Sequence, residues 1–338
     1  MKNIKKLFMI IILAIAVIIM MLNKEEGAQK FMIQGTAQGT FYNITYLDSE
    51  EKVTNTEIDS LLQAFDFSCS IYNTESLLSK VNNNESDTID KYIAYCLDVA
   101  KDIFVKSDSL FDVTVKPLVE EYGFVRKEKG GEVNVDSLKQ FIGFEKIEID
   151  GNKVIKSDER VQIDLNSIAQ GYSVDLVAQY FEKKGIENYI VEIGGELFAR
   201  GRNQKGNIWR VGIDKPIDGN LDHTDEFQEI IELDGLGLAT SGNYRKFYLD
   251  DNGNRINHTI NPKTGLSATH NLLSATILAD NATLADGYAT ACMVLGTEKA
   301  IEILKADSTL YGLLVYSEGD SIKTFTTPNL ATKIYKGE

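Results

Sequence analysis

Helix-type and strand-type hydrophobic patterns follow one another along this chain without a regular βαβ period and without an internal repeat. Apolar residues at helical spacing predict a long helix over about 87–106, with Ile89, Ile93 and Leu97 on one side. Strand-like alternation marks "FMIQGTAQGTFYNITYL" near the beginning of the chain. Mixed elements of this kind predict an α+β fold.

Shorter patterns complete the expected set of elements. The segment "TNTEIDSLLQAFDFS" is expected to be a helix capped by Thr56. The helical pattern of "NSIAQGYSVDLVAQYFEKKGI" stops at Gly185, and "NYIVEIGGELFARG" is expected to return to strand with a Gly-Gly kink. Two or three short strands are expected over 145–165, further strands over 209–213 and 272–278, and helices over 281–296 and 298–306.

The N-terminus is not expected to belong to the globular fold. Three lysines, Lys2, Lys5 and Lys6, precede an apolar run from Leu7 to Leu22. The run is a little shorter than a comfortable span of about 20 residues and longer than a signal-peptide core of roughly 7 to 15. Residues 1–29 are therefore predicted to be a membrane anchor or signal peptide, and the absence of a cleavage motif favours an uncleaved anchor. Residues 30–338 would form one catalytic domain on the extracytoplasmic, or periplasmic, side.

Composition excludes one class of partner. The formal net charge of the 338-residue chain is -15, and no block of basic residues follows the N-terminus, so no nucleic-acid partner is expected. An anionic small molecule would need a local cation, helix N-termini or backbone amides. Of the three cysteines, Cys96 and Cys292 fall on apolar helix faces and are expected to be buried, whereas nothing in the spacing supports a disulfide or a zinc site.

An acidic residue stands within the small and apolar residues of "NATLADGYATACMVLG". Asp286 and Thr290 are four positions apart on the expected helix, so they share a face and can present two oxygens to one hard cation. Thr283 and Asp286 also fit a capping box, in which the acid binds amides of the first helical turn. From these residues alone, the cap is the favoured interpretation.

Five segments are weak signals individually but specific in their order along the chain: "DLNSIAQGYSVD", "VEIGGE", "TSGNY", "HTINPKTG" and "ADGYAT". Upstream stand "GTFY", "IYNTESLLSKVN" and "SLFDVTVKPLVEEYGF". Together they resemble the motifs of the FAD:protein FMN transferase family, also called ApbE, from about residue 34 to 315. The resemblance implies mixed helices and mostly antiparallel sheets, with the active site in a cleft between two subdomains.

The resemblance also implies a reaction. The FMN half of FAD would move onto a threonine hydroxyl of an acceptor flavoprotein, with release of AMP and with Mg²⁺ as cofactor. The acceptor would carry a threonine-containing flavinylation motif and would be a subunit of a membrane redox complex or an extracytoplasmic flavoprotein. Alternatives are an FAD pyrophosphatase that yields FMN and AMP, a non-enzymatic flavin-binding protein of the envelope, and a structural interaction module.

Site residues are carried over from the family motifs. Asp286, Thr290 and the backbone carbonyl of Ser167 match the metal ligands, which favours coordination over capping for Asp286. His258 matches the histidine near the transferred phosphate and is the candidate base. His223 and His270 are expected to be ordinary hydrogen-bonding residues. The FAD contacts implied by the motifs are Gln38, Tyr72, Leu110, Phe111, Asp112, Asp164, Gln170 and Ile260.

Several of these residues have plain structural alternatives, and three positions depart from the family pattern. Tyr72 could stack on the isoalloxazine ring or be a core tyrosine, and Asp164 could bind FAD or cap a helix. Gln170 stands where Lys is common, so affinity is expected to depend more on the metal. Asn261 replaces a common Asp, and Gln38 replaces a common Met.

Overall fold

The fold is built around a single large antiparallel sheet. A computed structural model describes residues 28–124, 134–216, 227–242, 247–249, 255–257, 259–319 and 321–337. The eight strands of this sheet lie in the order β1-β2-β5-β6-β9-β12-β13-β14, and every neighbouring pair is antiparallel. The prediction of an α+β fold with mixed helices and mostly antiparallel sheets is confirmed.

The elements have the following bounds. The strands are β1 Gln29–Ala37, β2 Thr40–Asp48, β3 Ile147–Asp150, β4 Lys153–Lys156, β5 Asn188–Ile193, β6 Glu196–Arg200, β7 Trp209–Asp214, β8 Phe227–Leu233, β9 Leu236–Gly242, β10 Phe247–Leu249, β11 Arg255–Asn257, β12 Leu272–Ala279, β13 Tyr311–Glu318 and β14 Ser321–Thr326. The helices are α1 Asn55–Cys69, α2 Leu77–Asn82, α3 Lys91–Lys106, α4 Lys116–Glu121, α5 Val135–Lys139, α6 Ala169–Lys183, α7 Ala282–Leu295, α8 Thr297–Ala306 and α9 Pro328–Ala331.

Helix starts differ in detail from those expected. Helix α1 is capped by Thr54, not Thr56, because Thr54 and Glu57 form a complete capping box and Thr56 lies inside the helix. Helix α3 begins at Lys91 rather than near residue 87, since the Asp90 carboxylate accepts from the amides of Tyr92 and Ile93. The Gly-Gly kink is a turn that separates β5 from β6.

Two helices, α6 and α7, lie close together beside the sheet, and Gly171 permits their contact. A Cβ atom at Gly171 would lie 2.3 Å from the carbonyl oxygen of Ala282 and 2.8 Å from the Cβ of Asp286. A larger residue would therefore push the two helices apart. This contact determines where the first turns of α6 and α7 meet.

All three cysteines of the chain are buried. Cys96 and Cys292 are buried as predicted, and Cys69 is buried too; all three are free thiols. In the described part of the chain, no helix has the length and apolar character needed to cross a membrane. Residues 1–27 of the predicted anchor, which was expected over 1–29, lie outside the described part of the chain, and β1 begins at Gln29.

Candidate active site

A cavity of about 1020 Å³ opens where the β1–β2 turn, α1, α6 and α7 approach one another. Its wall contains every predicted site residue that belongs to the described part of the chain: Gln38, Tyr72, Leu110, Phe111, Asp112, Asp164, Ser167, Gln170, Ile260, Asp286 and Thr290. These residues span much of the sequence, so the fold brings distant motifs to one place. Such a concave site with several convergent polar groups is typical of a small-molecule site.

Asp286 lies on the buried side of α7 and is only 5% exposed. Its Oδ2 accepts a hydrogen bond of 3.0 Å from the amide of Gly171 in α6. Burial, with a smaller contribution from the neighbouring Asp175 carboxylate, raises the pKa of Asp286 to about 8, against the lowering effect of the Gly171 hydrogen bond. Among the described residues, no donor reaches its Oδ1.

The capping interpretation of Asp286 is wrong, as is the expected contact with an amide of its own helix. Helix α7 is capped by Asn281, whose side chain accepts from the amide of Leu284 at 2.8 Å. The hydroxyl of Thr283 donates to the carboxylate of Asp175 in α6 instead of taking part in a capping box. Asp286 accepts from a different helix, which leaves it facing the cavity.

Asp175 completes the junction between α6 and α7. Its Oδ1 accepts from the amide of Ala282 at 2.8 Å, and its Oδ2 accepts from the amide of Thr283 at 2.9 Å. Burial raises the pKa of Asp175 to about 6, while these hydrogen bonds act in the opposite direction. Asp175 is thus the residue that satisfies the first amides of α7, and both of its oxygens are engaged.

Ser167 and Thr290 bring two further oxygens to the wall near Asp286. Ser167 lies just before Ile168, the N-cap residue of α6, so its carbonyl precedes the first hydrogen bond of the helix, which Tyr172 donates to Ile168. Within the described chain no hydrogen bond reaches the Ser167 carbonyl, and the first-turn amide of Gly171 donates to Asp286. The Thr290 hydroxyl lies 3.4 Å from the hydroxyl of Ser241 at the end of β9.

Asp112 holds the loop that carries Leu110 and Phe111. Its Oδ1 accepts from the amide and the hydroxyl of Thr114, at 2.8 and 2.6 Å, and its Oδ2 accepts from the amide of Phe144 at 3.1 Å. Burial raises the pKa of Asp112 to about 6, against the effect of these bonds. Because both of its oxygens accept hydrogen bonds, Asp112 fixes the conformation of the loop, and it also lines the cavity.

Asp164 and Tyr72 lie on adjoining parts of the wall. Asp164 accepts from the amide of Asn166 at 2.8 Å and so stabilises the turn before α6, whose N-cap residue is Ile168. Burial raises the pKa of Asp164 to about 6. Tyr72 is 63% exposed and its hydroxyl accepts from Asn166 at 3.1 Å, so it is not a core tyrosine. An exposed ring at a cavity edge can stack on a planar ligand.

The loop that carries Tyr72 is held by residues of the "IYNTESLLSKVN" motif. Ser76 caps α2 and donates to the carbonyl of Ser70. Asn82 is buried and forms two hydrogen bonds with the backbone of Ile163, of 2.7 and 2.8 Å. These contacts explain why serine and asparagine occur in the motif: they attach the loop to the segment before Asp164.

Gln38 and Gln170, two departures from the family pattern, are neighbours through Ser173. The Ser173 hydroxyl lies 2.7 Å from the Gln170 carbonyl and 3.3 Å from Gln38 Oε1. Gln38 has a φ of 54°, in a two-residue turn between β1 and β2, and its Nε2 is buried without a partner among the described residues. The Gln170 Nε2 donates to the carbonyl of Ile193 at 3.0 Å.

Ile260 and Asn261 belong to the "HTINPKTG" motif, and His270 follows it in the sequence. Ile260 is buried and borders the cavity. His258 lies outside the described residues, as do His223 and part of "TSGNY". His270 is a hydrogen-bonding residue as expected, with its Nε2 2.5 Å from the carbonyl of Met293. Asn261 accepts from the amides of Lys263 and Thr264, which shapes the turn after the motif.

Sequence reasoning missed several wall residues. Asp66 in α1 and Glu196 in β6 add carboxylates to the cavity, and Asn166 supports Tyr72. Glu196 stood within a quoted motif, but no role was assigned to it. No signal in "QAFDFS" distinguishes Asp66 from an ordinary exposed helix residue, since only the packing of α1 brings it to the wall.

Most of the chain resembles known proteins of one family. The profile of the ApbE family matches residues 38–314. A Vibrio cholerae protein named FAD:protein FMN transferase is 34% identical over 327 residues, 94% of this chain and 96% of that protein. An Escherichia coli protein of the same name is 33% identical over 322 residues, 90% of this chain and 89% of that protein.

A solved structure agrees with this match. The flavin transferase ApbE from Vibrio cholerae superposes with a TM-score of 0.80 and 31% sequence identity, over 90% of this chain and 99% of that one. Because the profile, the sequence relatives and the fold all agree over most of the chain, this protein belongs to the ApbE family.

Proposed function

We propose that this protein is a magnesium-dependent flavinyltransferase, which moves the FMN moiety of FAD onto a threonine hydroxyl of an acceptor protein and releases AMP. The observation that carries the proposal is the cavity itself. One wall brings together the family's motif residues, among them Ser167 and Asp286, and no described residue donates to the second carboxylate oxygen of Asp286. The names of the relatives support flavin transfer from FAD to protein.

The residues present fit a magnesium ion. Mg²⁺ prefers oxygen ligands and retains positions for substrate phosphates. Asp286, Thr290 and the Ser167 carbonyl would hold it, and the Ser167 carbonyl accepts no hydrogen bond from the described residues because it precedes the N-cap of α6. Among the described residues, no three His, Cys, Asp or Glu side chains form a metal cluster, so the ligands would include hydroxyl and carbonyl oxygens. When bound, the ion neutralises charge on the diphosphate.

The reaction exchanges the phosphoanhydride bond of FAD for a phosphoester bond to the acceptor. The acceptor threonine oxygen attacks the phosphorus of the FMN half, the bond between the two phosphates breaks, and AMP departs with the bridging oxygen. The threonine proton would pass to His258, whose unperturbed pKa of about 6.5 suits a base near neutrality. Tyr72 would stack on the flavin ring, while Gln38 and Asp164 would contact polar groups of FAD, so the chain's main contribution is orientation.

The direct test is mass spectrometry of a coexpressed acceptor protein. We expect one threonine to gain the mass of FMN and AMP to accumulate in equal amount. Free FMN as the main product, with and without acceptor, would instead indicate an FAD pyrophosphatase. His258→Ala should still bind FAD but should not transfer FMN, and normal transfer by this variant would refute the assignment of the base.

We further infer that the acceptor is an extracytoplasmic flavoprotein, such as a subunit of a membrane redox complex. The support is the lysine-flanked apolar run at the N-terminus, which would place the domain on the periplasmic side as an anchored or secreted protein. Fusion of the full chain to a reporter that is active only outside the cytoplasm tests this location. An inactive reporter together with a soluble, uncleaved chain would contradict it.

A further inference from the structure

The exposed ring of Tyr72 is held at both ends. Tyr72 lies at the cavity wall and is 63% exposed. Its backbone amide donates to the Ser70 hydroxyl at 3.2 Å, and its own hydroxyl accepts from Asn166 Nδ2 at 3.1 Å. An exposed side chain without such contacts samples several rotamers and loses that freedom when a ligand binds. The two hydrogen bonds therefore give this ring a defined orientation in advance.

Asn166 is itself attached to the buried part of the wall. Its amide donates to Oδ1 of Asp164 at 2.8 Å. Asp164 is only 7% exposed, and its own amide donates to the carbonyl of Val113 at 2.7 Å. The backbone of Asn166 is thus fixed relative to the wall, and its side chain fixes Tyr72, 94 positions away in sequence, relative to the same wall.

The bond between Asn166 and Tyr72 is open to solvent, although both residues line the cavity. A planar ring stacked on Tyr72 would cover the tyrosine and exclude water from this bond. A hydrogen bond shielded from water is electrostatically stronger than one in contact with it. The bond is therefore expected to contribute more to the binding of such a ligand than to the stability of the protein alone.

We propose that Asn166 is a positioning residue for Tyr72: it orients the ring for stacking on the isoalloxazine ring of FAD, and so favours nucleotides that carry a flavin over those that do not. This inference rests on the proposed function, in which Tyr72 stacks on the flavin. A ring that is already oriented loses less conformational entropy on stacking. Because Asn166 acts through Tyr72, its effect is confined to the flavin half of FAD.

The test compares FAD with ADP, which contains the adenosine and both phosphates but no flavin. FAD affinity of the full chain is measured by calorimetry, ADP affinity by competition with FAD, and chromatography checks that FAD remains intact. In Asn166→Ala, FAD binding should weaken about fivefold and ADP binding by less than about twofold. The visible circular dichroism of bound FAD at saturation should also change, because the stacked ring is no longer held in one orientation.

A double-mutant cycle shows whether Asn166 acts through Tyr72. Tyr72→Phe keeps the ring but removes the hydroxyl, so it should weaken FAD binding as much as Asn166→Ala does. The double variant should bind FAD no more weakly than either single variant. Asn43→Ala is the matched control, since Asn43 is exposed, donates to Glu192 at 2.7 Å and lies outside the cavity wall. It should keep the wild-type affinities, and all melting temperatures should agree within about 2 °C.

Unchanged FAD affinity in Asn166→Ala would overturn the inference. Equal losses for FAD and ADP, or additive losses in the double variant, would overturn it too, because they would indicate an effect that does not pass through the Tyr72 ring. In each of these cases the proposed function would stand if the wild type still transfers FMN. Failure of the wild type to bind FAD would refute the proposed function and the inference together.

Discussion

Asp175 and Asp286 are buried acids on the facing helices α6 and α7, yet their surroundings differ in one respect. Both oxygens of Asp175 accept hydrogen bonds from the start of α7, whereas a described donor reaches only Oδ2 of Asp286. A buried carboxylate with all its hydrogen bonds made stabilises a fold. A buried carboxylate that has an oxygen without a hydrogen bond and faces a cavity is suited to binding a ligand. Substitution of Asp286 should therefore mainly lower activity, and substitution of Asp175 should mainly lower stability.

The largest effect is expected from Asp286→Asn. The amide oxygen can still accept from Gly171, but the negative charge is lost, so FMN transfer should fall about a thousandfold or more. The free energy of unfolding in EDTA should stay within about 1 kcal/mol of the wild type, since no charge is left buried. Transfer kinetics and urea unfolding measure the two quantities. A large loss of stability with modest loss of transfer would reverse the roles assigned to the two acids.

Asp175→Ala should produce the converse result. It leaves the amides of Ala282 and Thr283 and the Thr283 hydroxyl without their acceptor, which should lower the free energy of unfolding by about 3 kcal/mol. Asp175→Asn retains one acceptor oxygen and should lose roughly half as much. Urea unfolding of both variants decides the matter, and a wild-type midpoint for Asp175→Ala would show that the cap is dispensable.

Gly171→Ala acts on both acids through one methyl group. The added Cβ would meet the Ala282 carbonyl, so the helices must separate, at a cost of about 2 kcal/mol. The Gly171 amide would move away from Asp286, and Mg²⁺ binding should weaken as well. Calorimetric Mg²⁺ titration and urea unfolding test this, with Gln179→Ala on the exposed side of α6 as the control. Unchanged values in both measurements would mean that the junction adapts freely.

The smallest effect concerns pH. Burial raises the pKa of Asp286 from 3.8 to about 8, so the folded protein without metal retains a proton that the unfolded chain releases. Its contribution to stability is therefore present below about pH 4 and is lost as pH rises towards about 8. Mg²⁺ needs the ionised carboxylate, so it should raise the melting temperature a few degrees more at about pH 9 than at about pH 6.

Calorimetric melting with Mg²⁺ and with EDTA measures this difference. In Asp286→Asn the excess at high pH should disappear, whereas in Gln179→Ala it should remain. An equal Mg²⁺ shift at both pH values in the wild type would show that Asp286 is ionised throughout, contrary to the effect of its burial.

Much of the architecture could be predicted from local patterns. The apolar spacing of α3 and the alternation of β1, β2 and β12 identified these elements because periodicity depends on residues close in sequence. The cap of α1 could also have been predicted, since Thr54 and Glu57 have the spacing of a capping box. The prediction of Thr56 as the cap did not take that pair into account.

The site could be predicted only in part. Motif resemblance selected the wall residues, but their partners lie far away in sequence: Gly171 and Asp286 are 115 positions apart. No pattern within "NATLADGYATACMVLG" shows that Asn281 caps the helix or that Thr283 turns to Asp175. The exposure of Tyr72 and the presence of Asp66 in the wall likewise depend on tertiary packing, which local spacing does not encode.

The cavity wall draws on residues from Gln38 in the first hairpin to Val294 near the end of α7. During synthesis, a nascent chain that lacks α7 has no complete pocket, however well its earlier strands have paired. FAD can then bind only after nearly the whole domain has been synthesised. A truncated or misfolded copy would not bind the dinucleotide. Retention of FAD could in this way report that a molecule has finished folding.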